Sequence, residues 1–274
     1  MSARATCLAL ALTLCSFLLV GCDQVGNNSG TSQRDSLEQI QLTHTIIVGW
    51  APYAPYAYLD PHTRKPSGLY LELFERVASE AGLKVEWVET TWGTMVADQQ
   101  TGRFQVMAAP VFRTIPRALA VTFTRPISDF GLSAVVRSDD ERFQKLDDFG
   151  HGPVRIAVTQ GEVGYEFATH HLPQAKLNVF RTGDIGLAMT DVIEGRADAA
   201  IADSWTVSQF VAAHPTQVRD VFAGKPFNRV GAGWFVAHND VNLVMFLNTS
   251  VDWLISSGVA KQLGDKYGVP VADR

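Results

Sequence analysis

Cysteine is scarce in this sequence of 274 residues, which contains only Cys7, Cys15 and Cys22. All three lie within the first 22 residues, so the rest of the chain has no pair that a disulfide could join. A domain without disulfides depends on its hydrophobic core alone. The remaining stretch of about 250 residues is long enough to form such a core, either as one large domain or as two lobes.

Dense basic segments are also missing. The formal net charge is −5, and the sequence contains no dense run of Lys and Arg. Both features argue against a nucleic-acid partner. After residue 22 no stretch has the roughly 20 apolar residues of a transmembrane helix. The sequence has no G-x-S-x-G motif and no phosphate-binding glycine loop, and the adjacent His170 and His171 lack the spacing of about four residues that a metal pair on a helix needs. We therefore expect neither a metal nor a cofactor.

The first 22 residues carry the pattern of an export signal. One positive charge, Arg4, precedes an apolar run over residues 8–20, and small residues follow it before a cleavage point. The run is shorter than a membrane-spanning helix, although an N-terminal anchor or a core helix is the alternative. Leu19-Val20-Gly21-Cys22 resembles the lipobox of bacterial lipoproteins. That resemblance implies cleavage after Gly21 and attachment of lipid to Cys22.

Residues 22–42 are polar and rich in Asn, Ser, Gly, Gln and Thr. This composition predicts a flexible tether after a signal peptide of residues 1–21. Lipid on Cys22 would hold the folded part at the periplasmic or extracellular face of the cell membrane. The membrane is thus an expected partner through the lipid alone.

Strand and helix patterns alternate along the rest of the chain, which predicts an α/β fold with mainly parallel sheets. The predicted strands cover residues 45–50, 84–88, 104–109, 155–158, 176–180, 197–202 and 218–222. Helices are predicted over residues 68–81, with Ser67 as the cap and Gly82 at the end, and over 92–101, 163–171, 184–194 and 204–213. Two further extended runs, 131–137 and 230–237, are predicted to cross between two lobes. The end of the chain is predicted to be helical over residues 240–258 and 259–267 and to pack back on the first lobe.

Six short motifs follow one another through this α/β region. They are Tyr53-Ala-Pro-Tyr56, the helix after Gly68, Gly102-Arg-Phe-Gln-Val, residues 114–124 with Arg117, residues 158–164, and Gly195-Arg-Ala-Asp-Ala-Ala-Ile-Ala-Asp203. Their order and spacing resemble the bacterial extracellular solute-binding proteins of family 3, which are amino-acid-binding proteins of ABC importers. The resemblance covers residues 45–268.

This resemblance implies the type 2 periplasmic-binding-protein architecture. Two Rossmann-like α/β lobes are joined by two crossover strands, and the ligand binds in the cleft between them. We place lobe 1 at residues 43–135 plus 235–270 and lobe 2 at residues 136–234. The implied partners are a small-molecule ligand, an amino acid or an amine, and the permease of an ABC transporter.

Two charged residues are the main candidates for holding the ligand. Arg117 matches the arginine that grips the ligand α-carboxylate in the family, and a guanidinium offers the planar fork for this contact. The alternative for Arg117 is a surface or interlobe salt bridge. Asp203 matches the aspartate that binds the α-amino group. It could also cap the following helix, and the two roles are compatible if they use separate oxygens.

Aromatic residues complete the predicted site. Tyr53 and Trp92 match the positions that sandwich the ligand side chain, and Trp50 lies three residues before Tyr53. Trp50 stands where binders of basic amino acids carry an acid, which argues for a neutral ligand side chain. The other tryptophans, Trp87, Trp234 and Trp253, are assigned to packing.

Glu162 departs from the family pattern. With Val163 it replaces two threonines whose hydroxyls help to bind the ligand carboxylate. Glu162 would repel that carboxylate unless it faces solvent. Pro110 and Phe112 also make the pocket wall more apolar, and an aromatic cleft with two acids could suit an amine instead.

The preferred function is capture of an amino acid with a neutral side chain for an ABC importer, without enzyme activity. One alternative is an enzyme of the cyclohexadienyl dehydratase type, since Arg142-Phe-Gln-Lys-Leu resembles one of its segments. Such enzymes carry a catalytic Glu three residues after the aspartate, where this chain has Thr206, and the loss of a general acid costs a factor of roughly 10²–10⁴. The other alternative is a ligand-sensing domain for a membrane receptor, which the sequence does not separate from transport.

Overall fold

Twelve strands, nine α-helices and one short 3₁₀-helix (Leu146–Phe149) occur in the part of the chain that the computed structural model describes, residues 36–181 and 183–272. The strands are β1 (Thr45–Trp50), β2 (Tyr58–Leu59), β3 (Pro66–Ser67), β4 (Lys84–Glu89), β5 (Val106–Phe112), β6 (Val121–Phe123), β7 (Ser128–Arg137), β8 (Arg155–Thr159), β9 (Lys176–Phe180), β10 (Ala199–Asp203), β11 (Val218–Asp220) and β12 (Phe227–Ala237). The helices are α1 (Ser36–Thr43), α2 (Leu69–Glu80), α3 (Met95–Gln100), α4 (Ile115–Ala118), α5 (Val163–His171), α6 (Gly186–Ile193), α7 (Ser204–Ala213), α8 (Val241–Ser256) and α9 (Val259–Tyr267).

Two parallel groups of strands lie at the two ends of one long sheet. The order is β4-β1-β5-β12-β7-β10-β8-β9, with β1 parallel to β4 and β5, and β8 parallel to β9 and β10. Strands β5 and β10 are buried along their whole length, as expected when helices cover both faces of a parallel sheet. The chain reaches the second group through β7 and returns through β12, so the predicted two lobes and two crossover strands are confirmed.

The predicted lobe boundaries fall inside the crossover strands. The step from residue 135 to 136 lies within β7, and the step from 234 to 235 lies within β12. The division itself stays a prediction. The C-terminal helices α8 and α9 pack against α2, next to β12, as the sequence predicts.

The first predicted helix begins later than expected. Ser67 belongs to β3, and Gly68 is the residue before α2, with a φ of 122° that is unfavourable for other residues. A Cβ at Gly68 would lie 2.6 Å from the backbone of Tyr56, so the close approach of this loop requires glycine. The predicted helix over 92–101 is also shorter, because α3 starts only at Met95.

The predicted tether is wrong at its end. Residues from Ser36 onward form α1, and Ile40 is 1% exposed because it packs into the core. The signal peptide, the lipobox with Cys22 and the rest of the predicted tether lie outside the described residues.

The tryptophans assigned to packing divide into two groups. Trp234 is fully buried against Phe74, and Trp87 is partly buried against the same ring. Trp253 is 37% exposed on α8 and lies outside the buried core. Among the described helices no single one is long and apolar enough to cross a membrane. The pair α8 and α9 passes the length and composition test together, but the two are bent by 72°.

Candidate ligand-binding site

Five of the six predicted ligand-binding residues line one small cavity between the two groups of strands. The loop after β1 carries Tyr53, and the segments after β5 and β8 carry Arg117 and Glu162, while Asp203 ends β10. These are the carboxyl ends of parallel strands, where open α/β sheets bind ligands. The cavity volume is about 10 Å³, and the lining residues are Tyr53, Trp92, Pro110, Phe112, Arg117, Glu162, Val163, Ile185 and Asp203.

Asp203 is the N-cap of α7 and is 1% exposed. Its Oδ1 accepts hydrogen bonds from the Thr206 N–H at 2.9 Å and from the Tyr53 hydroxyl at 2.5 Å. Its Oδ2 is buried and has no partner among the described residues. Burial raises the pKa of the Asp203 carboxyl above its ordinary value. The capping role and a ligand-binding role are therefore compatible, because capping uses one oxygen only.

Arg117 is 7% exposed and contacts both lobes. On its own side it donates from Nη1 to the Phe112 carbonyl at 3.2 Å. Across the cleft it donates from Nη2 to the Gly161 carbonyl at 2.8 Å, and its Nε lies 2.6 Å from Glu166 Oε1. The interlobe salt bridge considered as the alternative is thus present. It uses only part of the guanidinium, since the group has five N–H donors and these contacts occupy three.

Glu162 is buried as the N-cap of α5, with 5% of its surface exposed. Its Oε2 accepts a hydrogen bond from the Gly164 N–H at 2.6 Å. Burial, together with the charge of Asp203, raises the pKa of Glu162 to about 8. Glu162 therefore does not face solvent, and its carboxyl is mostly protonated at neutral pH. Protonation removes most of the repulsion that an ionised Glu162 would exert on a ligand carboxylate.

Tyr53 is the central ring of the cavity. It stacks on Tyr56 with centroids 4.9 Å apart and meets the edge of Trp92 at 5.9 Å. Tyr56 in turn contacts Phe130 and Trp205 edge to face. The Trp92 Nε1 donates to the Pro52 carbonyl at 3.2 Å, which fixes the orientation of the indole. This arrangement supplies apolar faces around the free Asp203 oxygen.

Trp50 lies away from the small cavity. It lines a neighbouring cavity of about 730 Å³ together with Tyr58, Trp205 and Phe210. The two cavities share Tyr53 and Ile185. Glu89 and Asp184 also line the larger cavity, and both residues are exposed. Trp50 therefore does not share the small cavity with the other predicted ligand-binding residues.

Sequence reasoning missed several residues that shape the site. Glu166 has no motif that marks it, and only its position one turn after Glu162 on α5 could have suggested it. Trp205 and Tyr56 lie close in sequence to the predicted residues Asp203 and Tyr53. The sequence alone does not show whether such an aromatic ring lines the cleft or packs in the core. In the described part of the chain no group of three His, Cys, Asp or Glu side chains could hold a metal ion.

Two α/β lobes, two crossover strands and a polar cleft at the carboxyl ends of the strands define the class of two-lobed solute-binding proteins. Residues 46–270 match the family described as bacterial extracellular solute-binding proteins, family 3, and the chain belongs to that family.

Individual relatives agree with this assignment. The "Probable amino-acid ABC transporter-binding protein" of Haemophilus influenzae is 25% identical over 235 residues, which are 84% of this chain and 87% of that protein. The cyclohexadienyl dehydratase of Pseudomonas aeruginosa is 25% identical over 208 residues, 72% of this chain and 75% of the enzyme. The crystal structure of the ancestral amino acid-binding protein AncCDT-1, a precursor of cyclohexadienyl dehydratase, superposes with a TM-score of 0.73 and 27% identity over 85% of this chain and 99% of that chain.

Proposed function

We propose that this protein captures an amino acid with a neutral side chain outside the cytoplasm and delivers it to the permease of an ABC importer. The observation that carries the proposal is the buried Asp203 Oδ2, which has no partner among the described residues although it lines a cavity shared with Arg117. A buried carboxylate oxygen without a partner is costly, and a ligand ammonium would offset that cost. The named relative from Haemophilus influenzae supports the amino-acid class.

Each part of the ligand has a proposed partner. The α-ammonium binds Asp203 Oδ2, and the α-carboxylate binds the N–H donors of Arg117 that the protein leaves unused. Tyr53 and Trp92 line the cavity and offer the ligand their apolar ring surfaces. The side chain extends toward the larger cavity and Trp50, whose apolar ring favours an uncharged group. Glu89 and Asp184 lie at exposed positions of that cavity, where water screens their charges.

A thermal-shift screen of amino acids, amines and small carboxylates against the full-length protein identifies the ligand class. A ligand at 100 times its dissociation constant adds about 2.7 kcal/mol to the free energy of unfolding. Neutral amino acids should raise the melting temperature. Tight binding of arginine or lysine, with neutral amino acids silent, would overturn the predicted side-chain class.

Calorimetry on Arg117→Ala and Asp203→Ala then tests the site. Either truncation leaves a ligand charge buried and unpaired, which costs about 2–5 kcal/mol. Affinity should fall roughly thirtyfold to several thousandfold, at about 1.4 kcal/mol per factor of ten. Arg113→Ala and Asp129→Ala are matched controls at exposed positions and should bind as wild type does. Wild-type affinity in both site variants would remove the proposed site.

We also propose that the mature protein is anchored by lipid on Cys22. Leu19-Val20-Gly21-Cys22 supports this assignment, together with the apolar run before it. Metabolic palmitate labelling should be lost in Cys22→Ser and kept in Cys15→Ser, because Cys15 lies in the segment that cleavage removes. Equal labelling of Cys22→Ser and wild type would refute the anchor.

Dehydratase activity is the second candidate, and one observation favours it. Glu162 presents a carboxyl with a pKa of about 8 inside the cavity, so a protonated acid is available at neutral pH. Thr206, at the position of the catalytic Glu in such enzymes, has no carboxyl. Formation of an aromatic product from a cyclohexadienyl substrate, lost in Glu162→Gln, would support an enzyme over a binding protein.

A further inference from the structure

We propose that Glu166 is a specificity-determining residue that lowers the contribution of the ligand α-carboxylate to binding, so that the site selects mainly for the ammonium group. This inference rests on the proposed function and assigns a role to a residue outside the predicted site. If it is correct, an amine lacking the carboxylate binds nearly as well as the matching amino acid.

The first argument is geometric. Glu166 lies on α5, across the cleft from Arg117, and its Oε1 is 2.6 Å from the Arg117 Nε. The side chains are 7% exposed for Arg117 and 22% exposed for Glu166, so water screens the pair only in part. Glu166 lines a groove next to Arg113 and Pro116, whereas Arg117 lines the ligand cavity. Glu166 thus approaches Arg117 from outside the cavity and leaves room for a ligand at the guanidinium.

The second argument concerns charge. The Glu166 carboxylate offsets the positive charge of Arg117 before any ligand arrives. Glu162 adds little negative charge at neutral pH, because burial raises its pKa to about 8. Asp203 accepts hydrogen bonds from Tyr53 and Thr206 through Oδ1, and its buried Oδ2 has no partner among the described residues. An arriving ammonium therefore meets a carboxyl oxygen that has no donor, whereas an arriving carboxylate meets an arginine that already has a counterion in Glu166.

The third argument is the state of the second Glu166 oxygen. Oε2 is buried and has no partner among the described residues. It carries a share of the Glu166 charge and has no hydrogen-bond donor of its own. A ligand carboxylate at the remaining Arg117 donors would be repelled by the Glu166 charge from the other side of the guanidinium. An amine ligand brings no such group.

The experiment compares two matched ligand pairs, L-phenylalanine with phenethylamine and L-leucine with isoamylamine, by calorimetry on the full-length protein. The variant is Glu166→Gln, which keeps an oxygen for the Arg117 Nε–H and removes the charge. Glu80→Gln is the matched control, since Glu80 pairs with Arg76 on the exposed surface of α2. Melting curves of all variants check that they fold.

In the wild-type protein each amino acid should bind less than about tenfold tighter than its amine, and in Glu166→Gln this preference should rise on the order of tenfold. Glu80→Gln should keep the wild-type ratio. An unchanged ratio in Glu166→Gln, or a shift toward the amine, would overturn the role of Glu166 and leave the proposed function intact. If none of the four probes binds the wild-type protein or the variant, the proposed ligand class fails and this inference fails with it.

Discussion

At the scale of single residues, Glu162 links the stability of the protein to pH. Its pKa is about 8 in the folded protein, compared with an ordinary value of 4.5. Between these values the unfolded chain loses the proton and the folded chain keeps it. The free energy of unfolding therefore falls as the pH rises through this window, by at most about 1.4 kcal/mol per pH unit. The raised pKa of Asp203 acts in the same direction.

Replacing Glu162 by Gln should reduce the loss in free energy of unfolding that occurs as the pH rises. Gln retains an oxygen for the Gly164 N–H and cannot ionise. Glu162→Gln should therefore have a higher free energy of unfolding than wild type at pH 8, and the difference between the two proteins should be smallest near pH 5. Urea unfolding at pH 5, 6, 7 and 8 measures the difference. Glu80→Gln, at an exposed position, should follow the wild-type curve. Parallel curves for Glu162→Gln and wild type would show that Glu162 does not bind a proton more tightly in the folded state.

The residues of the candidate site were predictable to different degrees. Arg117, Asp203, Tyr53, Trp92 and Glu162 meet in one cavity because each ends a strand or lies in the segment that follows one. The order of the sequence motifs predicts these positions. Glu166 was not predictable, because its contact with Arg117 joins residues 49 positions apart and depends on how α5 faces α4. The burial of Glu162 was also not predictable, because acidic side chains are normally exposed to solvent.

At the scale of secondary-structure elements, the close packing of α5 on β10 positions both Glu162 and Glu166. Gly164 makes this approach possible, because a Cβ there would lie 2.1 Å from the Ile201 carbonyl oxygen. Gly164→Ala should push α5 away from β10 and destabilise the fold by about 1–3 kcal/mol. Ligand affinity should fall as well, because the cap and the Arg117 partner move with the helix.

Thermal unfolding with calorimetry checks this effect of Gly164→Ala. Gly150→Ala is the matched control, since its Cβ would meet only ordinary contacts, the nearest 3.5 Å away, and its φ of −92° suits alanine. The control should change stability by less than about 0.5 kcal/mol. Equal shifts in the two variants would show that the packing of α5 on β10 is less tight than the 2.1 Å distance implies.

Element boundaries show what sequence patterns can resolve. The helices α5, α7 and α9 and the strand β9 have the predicted bounds, because each has a clear apolar pattern and an evident cap or stop. The error at α2 arose because Ser67 is a good capping residue by type, yet it pairs with Tyr58 in a hairpin. The error at α1 arose because a single buried residue, Ile40, decides the structure of a polar segment.

At the scale of the whole molecule, contacts between the protein's own side chains bridge the cleft. Tyr53 reaches Asp203, and Arg117 reaches both Gly161 and Glu166. Tyr53 and Arg117 follow β1 and β5, while Gly161, Glu166 and Asp203 follow or end β8 and β10. Each bond therefore favours the closed arrangement over one in which the lobes have separated by hinge motion.

Removing the Tyr53 hydroxyl should open the ligand-free protein. A hydrogen bond of about 1 kcal/mol shifts a two-state equilibrium roughly fivefold, and a bond to a charged acceptor shifts it further. Spin labels at Glu80→Cys and Lys176→Cys, one on each lobe, should show a larger fraction of long distances in Tyr53→Phe than in the Tyr53 parent. A saturating ligand should restore the short distances, because a ligand bound to both Asp203 and Arg117 bridges the two lobes. Tyr58→Phe, a matched change at a hydroxyl that makes no cross-cleft bond in the described structure, should leave the distances unaltered. If Tyr53→Phe gives the distribution of its parent, the hydroxyl does not hold the lobes together, and closure must depend on Arg117 with Gly161 and Glu166.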